Sequence, residues 1–300
     1  MRDASRKRGI PWLARPPPHT ERITLMVTDA PTRAVRPRAS RSRRTLRKAL
    51  LGTTGILGFL ILWQLIPTLG IVSPAYLPYA TDTLARMAAE FRDLEFWRNV
   101  GRTMTAWAIG LLIATVAATV LGTIIGLVPF LRRATHTTVE FLRPIPSVAL
   151  IPLAVLVYGI QLQAALVIIV FASFWQVFVQ VLYGVADVDA VARDTARSFG
   201  LSRAERVRFL ILPTTLPYLM TGLRLAAAVA LILAITAEMV IGTPGLGRSI
   251  VFYQAAGDWV GVYSLVIVTG LLGLVINLVF RFIERKSLAW HQSVRGEEIL

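Results

Sequence analysis

Apolar residues along the chain fall into runs of membrane length, separated by shorter charged segments. Six runs are long enough to cross about 30 Å of hydrocarbon as helices. They lie near 50–69, 104–127, 141–158, 164–183, 216–241 and 260–280. The third contains Pro144, Pro146 and Pro152, none of which has a backbone donor. It is therefore expected to kink or shorten, and to pack inside the bundle or line a cavity where protein or water can reach the freed carbonyls. Before the second run, Leu84, Met87, Phe91 and Leu94 recur at helical spacing with charges between them, which predicts an amphipathic helix at the interface. Gly122 and Gly126 form a small-xxx-small pair, a pattern too frequent in apolar helices to carry weight by itself.

Composition agrees with this pattern. The 300 residues are 55% apolar and 16% charged, with a mean hydropathy of +0.62, against about 25% charged in soluble domains. The fold class is all-α integral membrane. With no cysteine, disulfide and thiolate chemistry are excluded. His19, His136 and His291 are too scattered for a metal centre, so no metal or other cofactor is expected. A membrane-embedded enzyme would need intramembrane His, Cys or paired carboxylates. Glu238 is the only carboxylate in the six runs, and no catalytic residue is expected.

Charge then sets the orientation. The net charge is +15, and residues 1–48 hold fourteen Lys and Arg against three Asp and Glu. With Pro16-Pro17-Pro18 and no apolar periodicity, this segment is expected to be a disordered tail. Beside a membrane span, its partner is anionic lipid at roughly 1 kcal/mol per basic residue, and not nucleic acid. Ser42-Arg43-Arg44-Thr45-Leu46-Arg47-Lys48 has the look of a twin-arginine export signal, but no small-residue cleavage site follows it and further spans do. Arg132, Arg133 and Arg143 lie between spans two and three. Arg193, Arg197, Arg203, Arg206 and Arg208 lie between four and five, and Arg281, Arg285 and Lys286 follow six. Six spans bring all of these to the cytoplasmic side with both termini. In the outward segments, 159–163 and 242–259 carry only Arg248, while Arg86, Arg92, Arg98 and Arg102 are matched by Asp82, Glu90, Asp93 and Glu95. The expected organisation is a tail over 1–48, a transmembrane domain over 49–285 and a second cytoplasmic tail over 286–300.

Residues 186–217 form the longest inward connection, charged and helical in pattern. A short helix is predicted over 192–198, with Gly200 as its stop in a position that calls for φ > 0. Ser202 and Glu205 read as a capping box opening a second helix towards Leu210, which Leu212-Pro213 is expected to end. Two short helices joined at a glycine make a knob that a partner can hold.

Asp194-Thr195-Ala196, three residues, Gly200, nine residues, Leu210, one residue and Leu212-Pro213 resemble the EAA loop of binding-protein-dependent ABC importer permeases (Glu-Ala-Ala, x3, Gly, x9, Ile, x, Leu-Pro). Asp194, Thr195 and Leu210 depart from that pattern in identity and keep its spacing. LRPIPSVALIPLAVLVYGI at 142–160, AEMVIGTPGLGRSI at 237–250 and Leu77-Pro78 are similar to the nitrate, sulfonate and taurine branch, so the resemblance runs from about 50 to 285. It implies a half-channel in a prokaryotic cell membrane, paired with a second copy as a homodimer. Two cytoplasmic ATP-binding subunits would grip Asp194, Thr195, Ala196, Gly200, Leu201, Leu210, Leu212 and Pro213. An extracytoplasmic solute-binding protein would deliver a small solute, an anion such as nitrate, sulfonate or taurine.

Other polar residues in the spans have plainer readings. Glu238 is expected to be a buried acid tying span five to its neighbours, with a role in the solute path as the alternative. Ser173, Gln176 and Gln180 in span four and Asn277 in span six are expected to bond between helices or to line the path. Gly242-Thr243-Pro244-Gly245-Leu246-Gly247-Arg248-Ser249 nearly spells a phosphate-binding loop, but it has Arg248 in place of lysine and follows an apolar helix, so it reads as a glycine-rich turn. Trp259 and Tyr263 read as interfacial anchors. The rival class, a secondary transporter driven by an ion gradient, would show inverted repeats and ionisable relays, and neither is evident.

Overall fold

A computed structural model describes residues 41–288, and every regular element among them is helical. Residues 1–40 and 289–300, and with them most of both expected tails, lie outside the described residues. The chain divides into two units, Met1–Gly55 and Ile56–Leu300. Within the first, the described residues are the start of α1 (Arg41–Thr68), so this helix reaches back into the segment expected to be tail.

The second unit holds the rest. After α1 come α2 (Ala80–Glu90), α3 (Leu94–Leu127), α4 (Pro129–Leu142), α5 (Ile151–Tyr158) and α6 (Leu162–Ala186). Then follow α7 (Ala190–Ser198), α8 (Arg203–Arg206), α9 (Leu212–Ile241), α10 (Leu246–Ala255) and α11 (Trp259–Ser287). Five stretches are long and apolar enough to cross a membrane: Leu50–Thr68, Leu94–Leu127, Leu162–Ala186, Arg203–Ile241 and Trp259–Ser287. A sixth is broken, because Pro129–Leu142 and Ser147–Tyr158 meet at 85°.

Three expectations meet their outcome here. The run 141–158 is shortened and bent into two helices, as its prolines led one to expect. Pro144 and Pro146 deny it backbone donors, so α4 ends at Leu142 and a 3₁₀ turn, Ser147–Leu150, leads into α5. Along this segment Ile151 and Ala154 are buried, Leu153, Leu156 and Val157 are exposed, and Tyr158 lines a cavity with residues of α6. The second concerns Leu212-Pro213, which does not end a helix. Val207–Ile211 forms a π-helical turn that runs directly into α9 with Pro213 in its first turn. A proline removes one donor and crowds the carbonyl four residues back, and a widened turn accommodates both. The third is the amphipathic helix, which stops at Glu90. Asp93 caps α3 by accepting from the Glu95 N–H at 3.0 Å, and α2 packs against α11.

Antiparallel α6 and α9 form the centre, and α3 packs along α6 while also touching α9, where Trp107 Nε1 donates to Ala227 O at 2.9 Å. Small residues bring them close: Ala114 and Ala118 on α3, Ala164 and Ala165 on α6, and Ala226, Ala230, Ala234 and Ala237 on α9 are all buried. Gly122 and Gly126 prove specific, since a Cβ at either would crowd Val181 or Val185 of α6 at 2.9 Å. Two glycines four residues apart thus receive two valines four residues apart. Close backbone approach of this kind drives association in lipid, where apolar burial contributes no force.

Candidate functional site

Two sites stand at opposite ends of the α6–α9 pair. The first is the knob at the α6 C-terminus. Asp189 caps α7 by accepting from the Val191 N–H at 2.8 Å. The helix closes in a Schellman motif: Gly200 N–H donates to Arg197 O at 2.9 Å and Leu201 N–H to Ala196 O at 3.0 Å. Gly200 has φ of +73°, the left-handed conformation its place in the motif requires. Ser202 and Glu205 then exchange both capping-box bonds, Ser202 N–H to Glu205 Oε2 at 2.8 Å and Glu205 N–H to Ser202 Oγ at 3.3 Å. The Ser202 hydroxyl, and with it the Ser202 backbone N–H, hold the Glu205 carboxyl below its ordinary pKa.

The knob therefore has a defined shape and exposed contact groups. Phe199 is 80% exposed and Val191 72%, a large apolar surface for so small a feature. Asp194 forms an exposed pair with Arg197 at 3.3 Å. Asp194, Thr195, Ala196, Gly200 and Leu201 lie together on the knob. Leu210, Leu212 and Pro213 lie at its root, in the π turn and the first turn of α9, where Leu210 packs on the main core.

The second site surrounds Glu238, near the α9 C-terminus. Glu238 is 2% exposed. Its Oε2 accepts from Thr103 Oγ1 of α3 and from the Gly247 N–H of α10, each at 2.9 Å. Thr103 Oγ1 in turn accepts from the Leu246 N–H at 3.0 Å. Glycine is needed at two positions here for space: a Cβ on Gly245 would fall on the Glu238 carboxyl, and one on Gly247 on the Ile235 carbonyl oxygen. The glycine-rich stretch is thus a turn wrapped over a buried acid. Glu238 Oε1 and the neighbouring buried Thr243 Oγ1 have no partner among the described residues.

Further polar links tie the same end together. Tyr253 O–H donates to Glu90 Oε1 at 2.9 Å, and Arg86 reaches Glu90 at 2.9 Å and Asp258 at 3.4 Å. Burial raises the Tyr253 pKa above the ordinary phenol value, so it remains a donor. Asp258 also caps α11 through the Gly261 N–H at 2.9 Å. Nearer the knob end, Arg224 of α9 pairs with Glu284 of α11 at 2.9 Å.

The polar candidates from the spans do not converge. Gln176 and Gln180 are half-buried on α6 beside Gly222 of α9, sixteen residues and so about 24 Å along the helix from Glu238. Asn277 is half-buried on α11. No hydrogen bond joins Glu238 to any of the three among the described residues. Thr103, the Glu90–Tyr253 link and the Arg224–Glu284 pair were missed from sequence. A lone arginine within span five was the available signal for the last of these.

Comparison with known proteins places this architecture. Residues 118–288 match the family model "Binding-protein-dependent transport system inner membrane component". The chain is 30% identical to the taurine transport system permease protein TauC of Escherichia coli (strain K12), over 82% of this chain and 90% of that one. It is 26% identical to the putative aliphatic sulfonates transport permease protein SsuC of Bacillus subtilis (strain 168), over 88% and 94%. In fold it is similar to a chain of the inward-facing MetNI methionine ABC transporter, with a TM-score of 0.55, 20% identity, and coverage of 64% of this chain and 95% of that one. The chain therefore belongs to the family of binding-protein-dependent transport system inner membrane components, as a multi-pass permease subunit of an ABC importer.

Proposed function

We propose that this permease works as a homodimer carrying a small anionic solute, of the sulfonate, taurine or nitrate kind, with the α7–α8 knob docked on a separate cytoplasmic ATP-hydrolysing subunit. The observation that carries this reading is the knob: two capped helices held at a fixed angle by Gly200, presenting Phe199, Val191 and Asp194 to solvent. An exposed aromatic with an adjacent charge is the composition of a protein-binding anchor. The π turn joins the knob to α9 without a break, so a push on the knob moves α9 and the packed α6 as one body. Both termini lie in the cytoplasm with the knob, and the α10 end receives a solute-binding protein from outside, as the sidedness of the basic residues supports. Affinity for the solute class is supported by the relatives' names alone.

The test is co-purification of the ATPase with the permease, then ATP hydrolysis in liposomes with and without loaded binding protein. Gly200→Val must leave the left-handed conformation, and Asp194→Ala removes the exposed carboxylate. Each is expected to release or uncouple the ATPase while the spans still fold. Full binding-protein-stimulated hydrolysis by both variants would overturn the reading. Orientation is tested on this cysteine-free chain with Arg203→Cys and Ala256→Cys. An impermeant thiol reagent should label position 256 in intact cells and leave position 203 silent.

A further inference from the structure

At the knob end, a cavity of about 470 Å³ opens between the last turns of α3 and the first turns of α9. Thr119 and Thr123 line it from α3, and Leu212, Thr215, Leu216 and Leu219 from α9. Val120 and Ile124 of α3 and Leu212 of α9 are exposed beside it, so its surroundings face hydrocarbon.

Two hydroxyls on its wall lack the bond that helical threonines ordinarily make. Thr105 donates to Gly101 O at 2.8 Å and Thr221 to Pro217 O at 3.1 Å, each four residues back. Thr119 Oγ1 and Thr215 Oγ1 are buried without a partner among the described residues, and Thr215 is only 4% exposed. A buried hydroxyl with no acceptor is costly, so these two call for an oxygen acceptor from a molecule in the cavity. The remaining lining from α9 is leucine and proline, so that molecule is otherwise hydrocarbon. Positive charge lies one turn away. The π turn runs unbroken into α9, and Arg208, four residues before Leu212, stands on the same face towards the knob. Its guanidinium lies 5.4 Å over the ring of Phe209, which is 63% exposed, and it has no hydrogen bond or ion pair among the described residues. Glu205, further into the knob, is already held in the capping box.

We propose that this cavity seats one anionic phospholipid from the leaflet on the knob side. An acyl chain lies between α3 and α9, an ester carbonyl accepts from Thr215 or Thr119, and the phosphate rests on Arg208. Arg208 and Thr215 are seven residues, about 10 Å, apart along the axis, a span that an arginine reaching to the surface closes between headgroup and ester level. A second copy seated here about a two-fold axis would instead set Arg208 against its own counterpart. The seat does not depend on the importer reading. Its consequence within this chain is that the lipid braces the π turn at the root of the knob.

The test uses the full-length chain in phosphatidylcholine nanodiscs doped with an equal fraction of phosphatidylglycerol or phosphatidylcholine carrying a photoreactive diazirine in an acyl chain. Adducts mapped by mass spectrometry should fall on 119–123 and 212–219, with about threefold or more from phosphatidylglycerol. Arg208→Gln, a change at an exposed residue, should bring the two lipids to equal yield. Thr123→Phe should fill the cavity and remove adducts from both segments with the melting temperature retained. Hydrogen exchange over 207–211 should slow when phosphatidylglycerol is added to the wild type and stay unchanged in Arg208→Gln. Adducts confined to other surfaces, equal yields from the two lipids in the wild type, or wild-type behaviour by Arg208→Gln would each overturn the site. So would a disulfide-linked dimer formed by Thr123→Cys on this cysteine-free chain in phosphatidylglycerol, because a second copy would then cover the cavity.

Discussion

Thr103 and Glu238, 135 residues apart in sequence, share a buried hydrogen bond of 2.9 Å, and Thr103 passes the connection on by accepting from the Leu246 N–H. One hydroxyl thus joins α3, α9 and α10. Thr103→Val keeps the shape and removes both bonds, leaving a buried N–H and a carboxyl oxygen short of a partner. The expected loss is about 1–3 kcal/mol of stability, read as a lower melting temperature of the purified chain, with Thr103→Ser recovering most of it. Glu238→Gln should assemble and Glu238→Leu should not, since only the former can still accept from the Gly247 N–H.

Space in the α9–α10 turn gives a second prediction. Gly247→Ala would drive its methyl onto the Ile235 carbonyl oxygen, a backbone atom that cannot step aside. The packed end should lose about 1–3 kcal/mol through forced shifts. Gly270→Ala, at a site with open space on α11, should leave the melting temperature unchanged or slightly higher.

The Arg224–Glu284 pair is testable by charge exchange. Its side chains are 36% and 20% exposed, so solvent screens the pair only in part. Arg224→Glu alone should destabilise the α9–α11 contact, and adding Glu284→Arg should restore it. A double-mutant cycle on thermal unfolding is expected to give a coupling of about 0.5–3 kcal/mol. Additive losses would mean that the contact contributes nothing.

Acid should loosen the knob. The Ser202 hydroxyl and backbone donors hold the Glu205 carboxyl below its ordinary value of 4.5. A carboxylate whose pKa is lowered by folding contributes fully above the unfolded value and loses that contribution as pH falls through the folded one. Hydrogen-exchange protection of the Ser202 amide, held by Glu205 Oε2 at 2.8 Å, should therefore be constant from neutral pH down to about 5 and fall below that. Glu205→Gln should remove the dependence while keeping the bond.

Much of the knob was legible in the chain because it is made of local contacts. Gly200, Ser202 and Glu205 act on neighbours within a few residues, so spacing alone locates the left-handed glycine and the capping box, while the Asp189 cap, which starts the helix two residues before the predicted 192, was missed. The bend at Pro144 and Pro146 was legible as a bend, but its 85° angle was not. Pro213 misled, because a proline read in isolation is a stop, and whether the backbone widens into a π turn instead depends on what the following helix packs against.

By itself, the sequence determined that the chain is a helical membrane protein, where five of its spans fall, and that 186–217 is a charged loop of short helices. All three follow from hydropathy, charge and spacing along one segment at a time. Only the tertiary structure decided that Gly122 and Gly126 meet Val181 and Val185, that Thr103 finds Glu238, and that Thr119 and Thr215 line one cavity with unpartnered hydroxyls. The physical reason is that apolar helices of similar length can pack in many rotations and pairings. Which polar group meets which is set by the close fit of small residues across three helices at once, and no single segment carries that information.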